Sequence, residues 1–416
     1  MKFTKIDKAF AGGYRFNPAG KPQDKIIDFG IPAQAVIPLT AKSGEKVPPV
    51  VEAGAEVKAG QLIGGDEKNP VRASVAGKVK GFTKLAPLEE DAVVIETDQT
   101  AGWEPLGGFK PQWQDLPAKK LQALLISAGV LGSGEKIEEI IIKGIEDTPY
   151  DLSLAVLLAE ERHAEFFEGL RILRSAFPEA GIHLAVNEAR EHLIARLRQN
   201  KDLPWLNLYS LSPKYPQSWR EKLVPAILPG TAFDSKQVLV LPITAVFDSL
   251  AAVTQGKPVL DRLISLGGLG WQENVHLRVR LGTPVGEITR VYLKQGDYRL
   301  ILNNVLVNRA LTDLSLPISA GHVSLAAVPE KRKRRSFLTS FFRGVGLGAE
   351  HGEDTAVEGE TMPCIFCGFC EDACPAGLLP HLLEKYVKRD IIDDNLIKYG
   401  VYDCIDCNST GIFEGQ

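Results

Sequence analysis

The chain has 416 residues, 44% of them hydrophobic and 24% charged, with a formal net charge of −4. That length suits roughly three globular domains, and the slight acidity excludes bulk nucleic-acid binding, which favours strongly basic domains. The opening MKFTKIDKAFAGG has no apolar core of signal-peptide length, and no uninterrupted apolar run approaches the roughly 18 residues of a membrane span, so folding in the cytoplasm is expected.

Residues 1–105 read as a barrel-sandwich-like domain. Between about residues 30 and 100, short apolar runs alternate with glycine turns, as in a small β-barrel. The pattern Gly54, Val57, Gly60, Gln61, followed by ASVAGKV, resembles the lipoyl/biotinyl barrel. Carrier versions of that barrel place a lysine between methionines at a hairpin tip. Here the tip is DEKNP, with Lys68 and no neighbouring methionine, which favours a packing module over a carrier.

Residues 106–260 read as a Rossmann-like α/β domain. LPAKKLQALLISAG has helical spacing and stops at Gly129. IEEIIIKGI is a continuous apolar run, as in a buried parallel strand. DLSLAVLLAEERHAEFFEGLRILRSAF is amphipathic, with Phe166, Leu170 and Leu173 at helical spacing. IHLAVNE and QVLVLPITA continue the strands, and EAREHLIARLRQN and AVFDSLAAVTQGK the helices. Alternation of this kind predicts a parallel sheet, which takes ligands at the carboxyl ends of its strands. The loop AGVLGSGEK carries Gly129, Gly132 and Gly134, which could admit a nucleotide or flavin phosphate. Its order, G-x-x-G-x-G after a helix, is not the dinucleotide fingerprint and suits a plain helix-ending loop better than a vestigial nucleotide or flavin loop. No Walker loop, paired-histidine zinc motif or nucleophile elbow is present, and the seven histidines are scattered.

Residues 261–330 turn β-rich: DRLISLGG, VHLRVRLGTPVGEI, DYRLILNNVLVNRAL and VSLAAVPE suggest a β-grasp module or small barrel. Residues 331–360 form a basic, then glycine-rich and acidic, linker. In it, Lys331 to Arg335 precede Phe337, Leu338, Phe341 and Phe342. A solvated linker and a contact with an anionic membrane face are both open readings.

Residues 361–416 carry the chemistry. All six cysteines lie here, which in a reducing compartment suggests a metal site rather than a disulfide framework. Cys364, Cys367, Cys370 and Cys374 have the spacing C-x2-C-x2-C-x3-C, followed by Pro375, the run of bacterial iron–sulfur proteins. Three close thiolates reach three irons of one cluster, while the fourth points elsewhere, and the proline ends regular structure. A zinc site or four structural cysteines fit this run less well. A second run opens with Cys404 and Cys407, but its third and fourth positions hold Thr410 and Glu414. Each four-thiolate set of a paired scheme therefore lacks one thiolate, and the count favours one [4Fe–4S] cluster over two. The ending NSTGIFEGQ reads as a frameshifted replacement for a complete second run, which the other frames beyond codon 407 would test.

With these motifs the chain resembles the A-type subunit of the sodium-translocating NADH:quinone reductase and its relative, the RnfC component of the Rnf electron-transport complex. VKAGQLIGGDEKNP with ASVAGKV is similar to the family's barrel, and EDTPYDLSLAVLLAEERHAEFFEGLRIL to its α/β domain. GKPVLDRLISLGG with LRVRLGTPVGEI is similar to its β-grasp module, and NRALTDLSLPISAGHVSLAAVPE with CIFCGFCEDACPAGLLP to the Rnf-type carboxyl-terminal part. SFLTSFFRG is closer to the quinone-reductase type. The implied fold is a multidomain α+β chain: barrel, α/β domain, β-grasp module and helical ferredoxin-like tail. The resemblance implies a peripheral component on the cytoplasmic side of the inner membrane, bound to other subunits of a membrane redox complex. It implies electron transfer through [4Fe–4S], with quinone or ferredoxin as electron partner and NAD or FMN as a further cofactor. The glycine loop is shorter than the family's and lacks its aromatic-proline part. Two alternatives stand beside this reading: a docking component that has lost its redox centre, and a soluble iron–sulfur protein of the cobalamin-reductase kind.

Overall fold

The computed structural model describes residues 1–6, 10–86, 89–100, 102–134, 136–146, 148, 150–159, 162–330 and 364–408. The expected linker, with its basic run and aromatic residues, and positions 410 and 414 lie outside the described residues.

The first strands do not stay together. β1 (Lys2–Ile6) and β2 (Ile26–Gly30) join sheets built mostly from much later residues, as given below. The barrel itself is formed by β3 (Gln34–Pro38), β4 (Glu56–Val57), β5 (Leu62–Gly65), β6 (Pro70–Arg72), β7 (Gly77–Leu85) and β8 (Glu90–Thr97). An antiparallel sheet of order β3-β8-β7-β4 faces the β5–β6 hairpin. Alternate residues turn inward, as the two-residue period of a strand requires, and Ala35, Ile37, Ile63, Val71, Val79, Val93 and Ile95 form the core.

The central domain contains α1 (Ala118–Ser127), β9 (Glu139–Gly144), α2 (Leu154–Ala159), α3 (His163–Ala176), β10 (Gly181–Asn187), α4 (Glu191–Gln199), β11 (Leu206–Leu211), α5 (Arg220–Ile227), β12 (Val238–Pro242) and α6 (Thr244–Gln255). Its five-stranded sheet has the order β1-β11-β10-β9-β12, every pair parallel. Both faces are covered, which is why its strands read as unbroken apolar runs. Ile140 and Ile142 face α1, α3 and α6, whereas Ile141 faces α5. On the first face Phe166, Leu170 and Leu173 are fully buried, at the helical spacing the sequence shows.

The third unit contains β13 (Asp261–Gly267), β14 (His276–Arg280), α7 (Val285–Tyr292), β15 (Tyr298–Leu302) and β16 (Ser324–Pro329). Its mixed sheet has the order β15-β16-β13-β14-β2. Val285 and Ile288 of α7 pack into a core with Trp271, Leu277, Val279 and Leu325. The tail is helical: α8 (Phe369–Ala373), α9 (Pro380–Lys388), α10 (Asn395–Lys398) and a 3-10 turn at Val401–Asp403.

Three features depart from the sequence reading. Residues 1–30, expected within a barrel domain of 1–105, supply edge strands instead: β1 pairs with β11 and β2 with β14. These pairings span some 200 residues or more of sequence, and nothing local announces them. β11 and α5 lie where no element was expected, because Asn207, Tyr209 and Ser210 dilute the strand pattern and Pro225 sits inside the helix. The segment VHLRVRLGTPVGEI is not all strand. Pro284 caps α7, and Val285, Ile288 and Thr289 form its buried stripe.

Candidate metal centre

Six cysteines on one short tail need backbone turns that aim sulfurs the same way. The structure gives the two C-x-x-C segments the same turn. In Cys364–Cys367, Phe366 has φ +57° and Gly368, just after, has φ +80°. In Cys404–Cys407, Asp406 and Asn408 both have φ +55°. Left-handed backbone at non-glycine residues is uncommon and is kept where the surroundings demand it. Its effect is visible in the second turn, where the Asp406 N–H donates to Cys404 Sγ at 3.4 Å. In the first run the Leu378 N–H donates to Cys374 Sγ, also at 3.4 Å. Amide-to-sulfur bonds of this kind tune a bound cluster.

Burial divides the six. Cys364, Cys367 and Cys404 are exposed and Cys370 is half-buried, with His381 Nδ1 at 3.8 Å. Cys374 and Cys407 are buried at 5% and 8% exposure. Both lie close enough to the ammonium of Lys222, on α5, to act on it: burial lowers the Lys222 pKa, and the charges of Cys374 and Cys407 push it back up. The last cysteine of each run therefore faces the central domain near one cation, although 33 positions separate them in sequence.

Residues far from the tail hold them there. The Gly13 N–H donates to Ala373 O at 2.8 Å. Gly12 sits so near that a Cβ would stand 2.6 Å from Cys374 O, closer than packed atoms allow. The Tyr215 hydroxyl, fully buried, donates to Cys407 O at 2.6 Å and accepts from Asn304 Nδ2 at 3.1 Å. Asn408 Nδ2 donates to Leu306 O at 2.6 Å. None of these was legible beforehand; the adjacent glycines in AGGY are the one local hint.

The six cysteines have the donor chemistry and the spacing of an iron–sulfur ligand run. Among the described residues no three His, Cys, Asp or Glu side chains converge on a single metal ion. Cluster thiolates bind separate irons, so they stand farther apart than the ligands of one zinc.

The glycine loop has a different setting. Gly129 ends α1 with φ +77°, Gly132 packs against the backbone of Ser43 in the barrel, and Gly134 faces open space. Ser133 Oγ donates to Asn69 Oδ1 at 2.9 Å. The three glycines thus sit in three environments, in a loop that docks the barrel and leads to the amino end of β9. The carboxyl ends of β9 and β10 are filled by the chain's own groups. Arg190 bonds Glu146 at 2.9 Å and Ser153 Oγ at 2.7 Å, and Asn187 Nδ2 donates to Glu146 at 3.2 Å. The Ser153 N–H donates to Nε2 of buried His276, whose Nδ1–H reaches Gln23 O at 2.8 Å. Burial lowers the His276 pKa and keeps that ring neutral.

A cleft of about 250 Å³ opens between α3, α6 and β13, lined by Arg162, Glu165, Thr244, Asp248, Lys257 and Arg262 among others. Its charges are engaged internally: Arg262 with Asp248 at 3.0 Å, and Lys257 with Asp261 at 2.9 Å. Burial raises the Asp248 pKa although Arg262 opposes the shift. Lys68 is at the exposed tip between β5 and β6. The base of that hairpin is pinned by Arg72, which donates to Ser127 O at 2.7 Å and Gly60 O at 3.0 Å. A hairpin held to α1 in this way suits packing.

Residues 9–100 match the family model described as the RnfC barrel sandwich hybrid domain. The C-type subunit of the proton-translocating ferredoxin:NAD(+) oxidoreductase complex of Clostridium ljungdahlii is 24% identical, over 95% of this chain and 88% of that protein. The C-type subunit of the ion-translocating oxidoreductase complex of Vibrio cholerae is 24% identical over 88% of this chain and 48% of its own length. That of Rhodobacter capsulatus is 25% identical over 86% and 70%. The chain therefore spans most of one relative and about half of another. Among solved structures, an NAD+-reducing [NiFe]-hydrogenase in the air-oxidized state overlaps 53% of this chain and 48% of that one, at TM-score 0.42 and 14% identity. An overlap of that quality bears no functional weight. The chain resembles the RnfC family, as its motifs implied.

Proposed function

We propose that this chain, which resembles the RnfC-type subunits of ion-translocating oxidoreductase complexes, is a peripheral electron-transfer component of a membrane redox complex of the Rnf or NADH:quinone type. The observation that carries the reading is the pair of C-x-x-C turns with matching left-handed backbone, whose runs end in the buried Cys374 and Cys407. Four of the six cysteines Cys364, Cys367, Cys370, Cys374, Cys404 and Cys407 would hold one [4Fe–4S] cluster. When bound, such a cluster stores and passes single electrons. The chain's own groups aim the sulfurs, supply amide donors to them, and shield the inner two from water. Exposed Cys364, Cys367 and Cys404 leave an edge open towards a redox partner, for which quinone and ferredoxin are the candidates.

Among the described residues no helix is long and apolar enough to cross a membrane. Attachment to the cytoplasmic face of the inner membrane through partner proteins agrees with that. NADH or FMN binding is a weaker proposal. It would use the cleft near α6 rather than a cradle formed by Gly129, Gly132 and Gly134 together, and ligand would have to compete with the Arg262–Asp248 pair. The deciding measurement is iron and acid-labile sulfide per chain after anaerobic purification and reconstitution, with the electron-spin spectrum of the reduced protein. About four irons per chain are expected; an iron-free protein that still co-purifies with membrane proteins of the complex would make this a docking component instead.

A further inference from the structure

We infer that a bridge between two segments remote from the cysteines, Gly12–Tyr14 and Tyr215, positions Cys374 and Cys407 as neighbouring ligands of one site; this rests on the iron–sulfur reading above. The contacts form an unbroken path. Gly13 holds Ala373 through its N–H, and Gly12 has its α-carbon against the carbonyl of Cys374. The next residue, Tyr14, pairs with Tyr215 in both directions, Tyr14 N to Tyr215 O at 3.2 Å and Tyr215 N to Tyr14 O at 2.7 Å. The Tyr215 hydroxyl then ends the path on Cys407 O.

Every link is short and lacks slack. Gly12 and Gly13 have φ +69° and +73°, and a Cβ on Gly13 would run into the Tyr215 carbonyl, so both positions require glycine. The Tyr215 ring is fixed edge-on by Phe16 at 5.9 Å and Trp219 at 5.8 Å. Asn304 supplies the hydrogen bond that orients its hydroxyl. The tail buries few apolar side chains of its own, Ala373 and Leu378 among them, so its two runs depend on this outside support for their spacing. Tyr215 touches the backbone of a ligand and no sulfur; it is a positioning residue.

The test uses the full-length chain, anaerobically reconstituted with iron and sulfide, in parent, Tyr215→Phe, Asn304→Ala and Gly12→Ala forms. The readouts are iron per chain, iron retention against a chelator, the electron-spin spectrum and the midpoint potential. Loss of a partner that supports a metal ligand commonly weakens retention about 10–100-fold. Tyr215→Phe, which keeps the ring and its packing, is expected to lose iron to the chelator about that much faster, with a shifted potential and altered spectrum. Asn304→Ala should give the same change in smaller measure, and Gly12→Ala the largest loss. Cys374→Ser and Cys407→Ser, as single variants, should perturb the same spectral signal. The proposal is overturned if the parent holds iron while Tyr215→Phe matches it in retention, spectrum and potential. It is also overturned if Cys374→Ser and Cys407→Ser affect separate signals. A parent that takes up no iron sinks the relay reading itself, an outcome distinct from both.

Discussion

A single half-buried histidine, His322, shows how this chain ties its stability to pH. His322 accepts the Ser319 N–H at its Nδ1, 3.0 Å away, a bond that a protonated ring cannot make. Burial lowers its pKa to about 4 from the ordinary 6.5. The unfolded chain therefore binds the proton more readily between those values. The contribution is fully present above about pH 6.5 and is lost as pH falls towards 4. Allowing for its partial exposure, the loss is about 2–3 kcal/mol. Urea midpoints measured from pH 7 to 4.5 should fall, and His322→Gln should flatten that fall; parallel curves for parent and variant would refute the assignment. At the same scale Tyr215 and Gly12 matter for contacts no neighbouring residue foretells.

At the scale of elements, Arg72 is a principal tie between the barrel and α1. Arg72 on β6 reaches both the Ser127 carbonyl and hydroxyl on α1, the Gly60 carbonyl and Glu67, while its own side chain is 12% exposed. Removing it leaves buried acceptors unmet. Arg72→Ala is expected to cost about 2–4 kcal/mol. The cost should show as faster amide exchange localised to β5, β6 and the end of α1; protection unchanged there would show that the barrel docks without it. The glycine loop belongs to this same junction, through Ser133 and Gly132 against Asn69 and Ser43. Its glycines are compatible in sequence with a helix-ending loop or a phosphate cradle, because sequence shows flexibility without showing what that flexibility is for.

At the scale of the molecule, the barrel, the central domain and the third unit each have an apolar core, whereas the tail shows mostly surface. Phe369, Val387, Ile392, Ile397 and Tyr402 of the tail are all exposed. A segment this small with so little buried needs a metal or a partner to stay folded. Stripping iron by chelator under anaerobic conditions should therefore make residues 364–408 sensitive to a low dose of protease, while the body up to residue 330 resists. Limited proteolysis read by mass spectrometry checks this, and equal resistance of the tail with and without iron would count against it.

The sequence by itself determined what is local: the spaced cysteine run of Cys364 to Cys374, its shortened partner at Cys404 and Cys407, the glycine-punctuated barrel, and the apolar strands and amphipathic helices of the central sheet. Those follow from spacing, turn chemistry and periodicity, which act over a few residues. Tertiary structure alone decided that β1 and β2 leave the barrel, that the carboxyl ends of β9 and β10 are closed by Glu146 and Arg190, and that Tyr14 and Tyr215 join the two cysteine runs. These are contacts between residues tens to hundreds of positions apart. Chain entropy opposes each such closure, and it is the packed cores on either side, not any motif, that hold the pieces together.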